Sequence, residues 1–154
     1  MNFVHYGHKH FDKKMFERPV SNGEFTRYLN KPEKGFWGSP LNSKNSWKDF
    51  CISEEFKLSS LNEHFTFRLK RFARVLKVMN KKDLFSLYRK YGIEGEDGRP
   101  TLDWEGIVNS YDAMILMIPS DFDLLINLQL TCWDVDSVVV FNPHVVVEIK
   151  DKAR

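Results

Sequence analysis

The chain has 154 residues, 42% of them hydrophobic, and its 23 Lys and Arg against 21 Asp and Glu give a formal net charge of +2. This length predicts a single domain, residues 1–154, that buries roughly two thirds of the surface of its unfolded chain. No apolar run approaches the roughly 20 residues that cross a bilayer, and no signal sequence begins the chain, so we expect a soluble cytoplasmic protein without a membrane partner. Cys51 and Cys132 lack CxxC spacing, which predicts reduced thiols rather than a disulfide.

The first half of the chain reads as short strands joined by polar segments. Strands are predicted at residues 3–6, 35–40, 65–69 and 74–79. A polar, basic loop with a turn at residues 19–23 connects the first two of them. Ser46 is placed to cap an aromatic-rich helix that extends to about Phe56.

The second half adds helices between more apolar strands. Asn80 is expected to cap a helix that ends before Gly92, Asp103 a helix to Tyr111, and Asp121 a third helix. A turn-rich loop is predicted at residues 94–100, and buried strands at 113–118, 138–141 and 145–149. These elements together predict a mixed α+β domain.

Two carboxylates and a hydroxyl lie at the start of the most apolar strand. Asp134, Asp136 and Ser137 lead into the strand at residues 138–141. Charge at the mouth of a buried strand costs free energy when unpaired and is useful when directed at a ligand. Because side chains alternate along a strand, Asp134 and Asp136 are expected to share one face, with Ser137 on the other.

Basic residues are concentrated in one block. Between Arg68 and Lys90 there are nine bases and one acid, Asp83. Such a block could dock nucleic acid or an acidic protein surface, or it could be a solvated face that the acidic second half balances.

The N-terminal histidines invite a metal hypothesis that their spacing does not support. If the first strand runs through His10, then His8 and His10 share one face and His5 lies on the other. No Cys partner and no HExxH pattern accompanies them, so no metal site is predicted.

A second motif, near the end of the chain, has two interpretations. An apolar strand carries Glu148 and Lys150, with Asp136 upstream, and resembles the catalytic core of the PD-(D/E)xK nucleases. That resemblance implies carboxylates that hold Mg²⁺ and a basic block that holds DNA. The nuclease core requires a helix and a further strand after Glu-x-Lys, and Glu148 and Lys150 could equally be the solvated end of a terminal strand.

A third set of motifs extends over the whole chain. His5-Tyr6-Gly7 follows an apolar start, Gly35-Phe36-Trp37-Gly38-Ser39 forms an aromatic strand, Tyr111-Asp112 precedes a buried strand, and Asp136-Ser137 leads a Val-rich strand that Asn142-Pro143 ends. In this order they resemble the ADP-ribosyltransferase superfamily, which includes bacterial toxins and poly-ADP-ribose polymerases. The resemblance implies a split mixed or antiparallel β-core with peripheral helices. It also implies NAD as co-substrate and transfer of ADP-ribose to a macromolecular target, as by a toxin or a phage effector, with the block from Arg68 to Lys90 docking that target.

The resemblance also assigns site residues. Those expected to bind NAD are His5, Tyr6, Gly7, Gly35, Trp37 and Ser39. Trp37 would pack on the cationic nicotinamide, and His5 would bond to the adenosine ribose or the nicotinamide side. Ser137 occupies the position of the family's catalytic acid, so Asp136 is the expected ribose-binding and catalytic carboxylate, with Asp134 two residues before it. A non-catalytic binding protein with the same core is the remaining alternative.

Overall fold

A computed structural model describes residues 1–19, 29–95 and 97–150. The strands are β1 Asn2–Tyr6, β2 Phe36–Pro40, β3 His64–Leu69, β4 Val75–Val78, β5 Gly92–Glu94, β6 Pro100–Leu102, β7 Ala113–Leu116, β8 Ser137–Val140 and β9 Val146–Ile149. The α-helices are α1 Trp47–Ser53, α2 Lys81–Tyr91, α3 Trp104–Ser110 and α4 Phe122–Asn127, and short 3-10 turns occur at Lys13–Met15, Leu58–Asn62 and Pro143–Val145. Most of the predicted turn at residues 19–23 lies outside the described residues.

These four α-helices of the described residues begin where the sequence places polar caps. The side chains of Ser46, Asn80, Asp103 and Asp121 each accept a hydrogen bond from the backbone N–H three residues further along. Each cap satisfies an N–H that has no partner within the helix, which confirms the predicted helix starts. Helix α1 ends at Ser53 rather than near Phe56, and the chain after it turns through a positive φ of 50° at Glu55.

Seven strands form one sheet in the order β4, β7, β8, β2, β1, β3 and β9. Neighbouring strands are antiparallel except β4 and β7, which are parallel, so the predicted α+β fold with a mixed sheet is confirmed. Strands β5 and β6 form a separate hairpin around the predicted loop at residues 94–100. Strands β5 and β6 have three residues each and include glycine or proline. Three residues are too few to show the alternation of apolar and polar side chains from which a strand is predicted.

The two faces of the sheet are buried differently. Val139 of β8 packs in the cluster that includes residues of α2, α3 and α4, while its neighbours Val138 and Val140 face the opposite cluster. Phe11, Met15 and Phe16 pack against that second cluster. Three of the helices therefore cover one face of the sheet, and N-terminal aromatic and aliphatic side chains cover part of the other.

Strand β2 links the two halves of the sheet and determines where they separate. Its first three residues, 36–38, pair with β8, whereas its pairing with β1 is limited to Ser39 with Val4 and Pro40 with Phe3. A Cβ at Gly38 would lie 2.9 Å from the Phe67 ring, so glycine allows β2 to pass close to the core at this point. Beyond Val4, strands β1 and β2 diverge, and a cleft opens between them.

Candidate ligand cleft

A cavity with a volume of about 500 Å³ lies where β1 and β2 diverge. That volume falls within the roughly 300–1,000 Å³ of typical small-molecule sites. The cleft brings together side chains from three distant segments of the chain. The predicted site residues that line it are His5, Tyr6, Trp37, Ser39, Asp134 and Ser137.

His5 bridges the two strands where their ladder ends. Its Nδ1 lies 2.7 Å from the Trp37 carbonyl oxygen, and its Nε2 lies 2.9 Å from His8 Nδ1. Because a carbonyl can only accept, Nδ1 of His5 carries the proton, and in the neutral ring Nε2 accepts from His8. The imidazole thus takes the place of a backbone hydrogen bond between β1 and β2 and leaves the space between these two strands open.

The surroundings of His5 favour its neutral form. Its ring stacks on Phe36 with a centroid distance of 4.6 Å and packs near Phe65 at 5.2 Å. Burial lowers the pKa of His5 below its usual value; the bond to the Trp37 carbonyl opposes this shift, and the neighbouring His8 adds to it. A neutral His5 can position a ligand or the strands without adding positive charge to the cleft.

The other two N-terminal histidines lie where alternation along a strand would not put them. Strand β1 ends at Tyr6, and Gly7 has φ of 105°, a left-handed conformation that favours glycine. This turn brings His8 back onto His5. The first strand therefore does not run through His10, and the alternation of the three histidines expected for such a strand does not apply. His10 instead donates to Glu148 at 2.8 Å. Within the described residues, no three His, Cys, Asp or Glu side chains are grouped to hold a metal ion.

Trp37 forms an aromatic wall of the cleft. Its indole lies 5.3 Å from that of Trp133, and its Nε1 donates to the Lys34 carbonyl at 2.8 Å. The ammonium of Lys31 lies 5.7 Å from the Trp37 ring centroid, so this indole already contacts a cation. Trp37 is half-buried, which leaves part of the ring facing the cleft.

The segment just before β2 forms a second wall that the sequence did not point to. Leu29, Lys31, Pro32, Glu33 and Lys34 all line the cleft. Buried Asn30 anchors this segment: its Oδ1 accepts from Thr101 and Leu102, and its Nδ2 donates to Tyr88 and to the Leu128 carbonyl. The signal in the sequence was weak, because a single Asn between a leucine and a lysine does not show that its amide joins distant segments.

The remaining predicted binding residues shape the backbone. Gly35 has φ of 85° at the entry to β2, and a Cβ there would lie 3.3 Å from atoms of both Pro19 and Val139. Ser39 is buried, and its hydroxyl accepts from the N–H of Trp47 at 3.2 Å, which ties α1 to β2. Gly7 and Gly35 are not among the residues that line the cleft, so the structure supports conformational roles for them.

Asp134 and Asp136, which precede β8, and Ser137, its first residue, are arranged differently from the prediction. Asp136 is 7% exposed, and its two carboxylate oxygens accept from Ser43 Oγ at 2.6 Å and Ile118 N at 2.8 Å. Asp134 is exposed and lines the cleft, as does Ser137. The expectation that Asp134 and Asp136 share a face is therefore wrong. The alternation fails because the chain is not yet a strand: it bends at Val135, whose carbonyl accepts from the Ser137 hydroxyl at 2.9 Å.

Asp134 is thus the carboxylate of the predicted acidic segment that faces the cleft. It forms no hydrogen bond or ion pair with any part of the chain that the structure describes. Glu33 contributes a second carboxylate to the lining from the opposite segment. Asp136, in contrast, is bonded at both oxygens and does not line the cleft.

Asp112, in the Tyr-Asp element of the third motif set, is also structural. It accepts from Arg74 N at 2.8 Å and from Asn142 Nδ2 at 3.1 Å, and so joins the ends of β4, β7 and β8. Burial opposes its ionisation, but these bonds and the Arg74 guanidinium outweigh burial and hold the pKa of Asp112 below its usual value.

The residues of the nuclease hypothesis do not share a site. Glu148 lies on β9 and Asp136 directly before β8, and three strands separate β9 from β8. At about 4.8 Å per strand spacing this places the two strands about 19 Å apart across the sheet. Glu148 is bonded to His10 and to Phe11 N; burial opposes its ionisation, but these bonds hold the pKa of Glu148 below its usual value.

Both cysteines are free, as predicted, and no helix of the described segments has the length and apolar character needed to cross a membrane.

Comparison with protein-family models, with curated proteins and with solved structures found no match to this chain.

Proposed function

We propose that this protein is a cytoplasmic NAD-dependent mono-ADP-ribosyltransferase that modifies a macromolecule, in the manner of a toxin or a phage effector. The observation that carries the proposal is the convergence of His5, Trp37 and Asp134 on one cleft of ligand size between diverging strands. These three residues are separated by 32 and 97 positions in the sequence.

The residues of the cleft fit the groups of NAD. The Trp37 indole lines the cleft and can stack on a cationic nicotinamide ring, which would replace the Lys31 ammonium near that indole. Lys31 supplies positive charge for the phosphates; Lys34 also lines the cleft, but its ammonium pairs with Glu17 at 2.6 Å. Ser39 and His5 use their polar atoms to hold β2 against α1 and β1, which keeps the two walls of the cleft in place.

The reaction requires negative charge beside the nicotinamide ribose. The bond between ribose C1′ and the nicotinamide nitrogen breaks, and nicotinamide leaves with the electron pair while positive charge develops on the ribose. A nucleophilic oxygen or nitrogen of the target then bonds to C1′ and releases a proton. A carboxylate that faces the ribose stabilises this charge, as in glycoside hydrolysis.

Asp134 is our candidate for that carboxylate. It is exposed, lines the cleft and forms no hydrogen bond or ion pair with the described residues, so a ligand would not have to displace any of them from its oxygens. Asp136 is less suitable, because a ligand would have to displace Ser43 and the Ile118 N–H from its oxygens. Ser137 lines the cleft, but its hydroxyl proton is engaged by the Val135 carbonyl.

Transfer of label from NAD tests the proposal. Purified protein incubated with NAD labelled in the adenylate phosphate and with cell lysate should produce labelled macromolecules, and Asp134→Asn should abolish the labelling. Asp123→Asn, the same change at an exposed position of α4, is the matched control and should label normally. Absence of both labelling and NAD binding with wild-type protein would contradict the proposal. NAD binding without labelling would identify a non-catalytic binding protein instead.

A further inference from the structure

The turn between β3 and β4 carries an exposed aromatic ring among cations. We define the β3–β4 patch as Arg68, Lys70, Arg71 and Phe72. The turn is held by hydrogen bonds from Lys70 N to the Val145 carbonyl at 2.8 Å and from Ala73 N to the Lys70 carbonyl at 3.1 Å. The Phe72 ring is 73% exposed, and the Lys70 ammonium lies 5.6 Å from its centroid.

Among the described residues, no acid neutralises the charge of the patch. The sequence from residue 64 to residue 82 contains no acid. Within the described residues, Arg68, Lys70 and Arg71 form no ion pair, in contrast to Arg74 and Lys81, which pair with Asp112 and Asp121. The structure thus divides the basic block, and the part before Arg74 keeps its charges available.

The patch begins on the same face of the sheet as the cleft. Strands β1 and β3 are paired so that Tyr6 lies opposite His64, Val4 opposite Thr66 and Asn2 opposite Arg68. Directly paired residues of antiparallel strands point to the same side, and Val4 and Tyr6 line the cleft. Arg68 lies two residues beyond Thr66, about 7 Å along the strand.

We propose that the β3–β4 patch binds single-stranded nucleic acid, and that nucleic acid is the acceptor class of the transferase; this second part rests on the proposed function. Phosphates would contact Arg68, Lys70 and Arg71, and a base would stack on Phe72. Cationic grooves with exposed aromatic rings bind single strands in this way, because every base has a π-face and every nucleotide a phosphate. An acidic protein surface would match the cations, whereas a nucleic-acid strand matches the cations with its phosphates and the exposed ring with a stacked base.

Binding without NAD tests the first part. A fluorescein-labelled 20-nucleotide RNA of mixed sequence, and the matching DNA, are titrated with protein while anisotropy is measured at several salt concentrations. Phe72→Ala should weaken binding about tenfold through the lost stack. Arg71→Ala should reduce the slope of log K against log salt by about 0.7 through one lost phosphate contact. Lys48→Ala, which removes a charge at an exposed position of α1, is the control and should leave both quantities unchanged.

Several outcomes would overturn the inference. Absence of saturable binding to either strand would do so, as would equal affinity of Phe72→Ala and wild type when both show the same thermal unfolding midpoint. Stronger competition by polyglutamate than by unlabelled RNA would point to an acidic protein partner instead.

A second assay separates this inference from the proposed function. Phe72→Ala should release nicotinamide from NAD at the wild-type rate when water is the acceptor, but should lose labelling of RNA. Strand binding by a protein that does not cleave NAD would refute the transferase and keep the binding patch. NAD cleavage and protein labelling without strand binding would refute the patch alone.

Discussion

Asp134 and Asp136 are two residues apart and lie in opposite surroundings. Asp136 is buried and accepts a hydrogen bond at each carboxylate oxygen, from Ser43 and from the N–H of Ile118. Asp134 is exposed on the wall of the cleft and has no such partners among the described residues. The difference shows that one acid at the start of a buried strand can hold the fold together, while the acid two residues before it stays exposed on the wall of a cleft.

The same contrast distinguishes the two parts of the sheet. At the β7–β8 part, Asp136 ties one end of β8 and Asp112 ties the other through Asn142. At the β1–β2 part, the backbone ladder stops after Val4 and the His5 side chain bridges the strands instead. The strands β7 and β8, held by these hydrogen bonds, thus support the diverging strands β1 and β2, between which a ligand can enter.

The largest loss of stability is expected from Asp136→Ala. The change leaves the Ile118 N–H and the Ser43 hydroxyl without their acceptor, which should lower the free energy of unfolding by about 3 kcal/mol. Asp134→Ala, the matched surface change, should alter it by less than about 0.5 kcal/mol. Urea denaturation of the three proteins measures both effects, and equal stability of the two variants would remove the distinction between the acids.

A smaller loss is expected from Asn30→Ala. The side chain joins the wall at residues 29–34 to Tyr88, Leu102 and Leu128, and its removal should destabilise the protein by about 2 kcal/mol. Because the wall carries Lys31 and lines the cleft, NAD affinity measured by calorimetry should fall as well. Loss of stability with unchanged affinity would show that this wall does not contribute to the site.

Replacement of Trp37 tests the open part of the sheet. Trp37→Leu retains an apolar side chain against Trp133 but removes the ring face offered to nicotinamide. NAD binding measured by calorimetry should weaken about tenfold, equivalent to about 1.4 kcal/mol. The control is Trp47→Leu, which alters another aromatic residue of the cleft lining and should have a smaller effect. Equal losses in both variants would contradict a specific role for Trp37.

The smallest effect is a dependence of stability on pH through His5. The pKa of His5 is lower in the folded protein than in the unfolded chain, where it is near 6.5. As the pH falls below about 6.5, the unfolded chain therefore binds a proton at His5 before the folded protein does. The free energy of unfolding should therefore decrease as pH falls from about 6.5 towards 5, before the buried carboxylates titrate. The groups that face His5 are the Trp37 carbonyl, His8 and the rings of Phe36 and Phe65. His5→Asn should reduce the slope, and an unchanged slope in denaturant titrations at several pH values would contradict a neutral His5.

Much of the fold follows from local signals in the sequence. Ser46, Asn80, Asp103 and Asp121 mark helix starts because each side chain satisfies an N–H three residues on, a purely local effect. The apolar run of β8 predicted a strand covered on both faces, and all four residues of β8 are buried. The hairpin of β5 and β6 was missed, because three-residue strands show no usable alternation.

The site was less predictable, since it depends on contacts between distant segments. His5, Trp37 and Ser39 do meet in the cleft, but the choice between Asp134 and Asp136 required the bend at Val135, which alternation along a regular strand does not predict. The wall at residues 29–34 likewise depends on hydrogen bonds of Asn30 to segments about 60 to 100 residues away.

The rate of nicotinamide release at saturating NAD tests the central claim most directly. Asp134→Asn should lower that rate by about 10² to 10³, the range observed when a stabilising group at a charged transition state is removed, with little change in NAD affinity. Glu33→Gln, which changes the other acid of the cleft, should lower it less, and Asp123→Asn should not change it. A wild-type rate in Asp134→Asn, or a greater loss in Glu33→Gln, would contradict the assignment of Asp134 as the catalytic carboxylate.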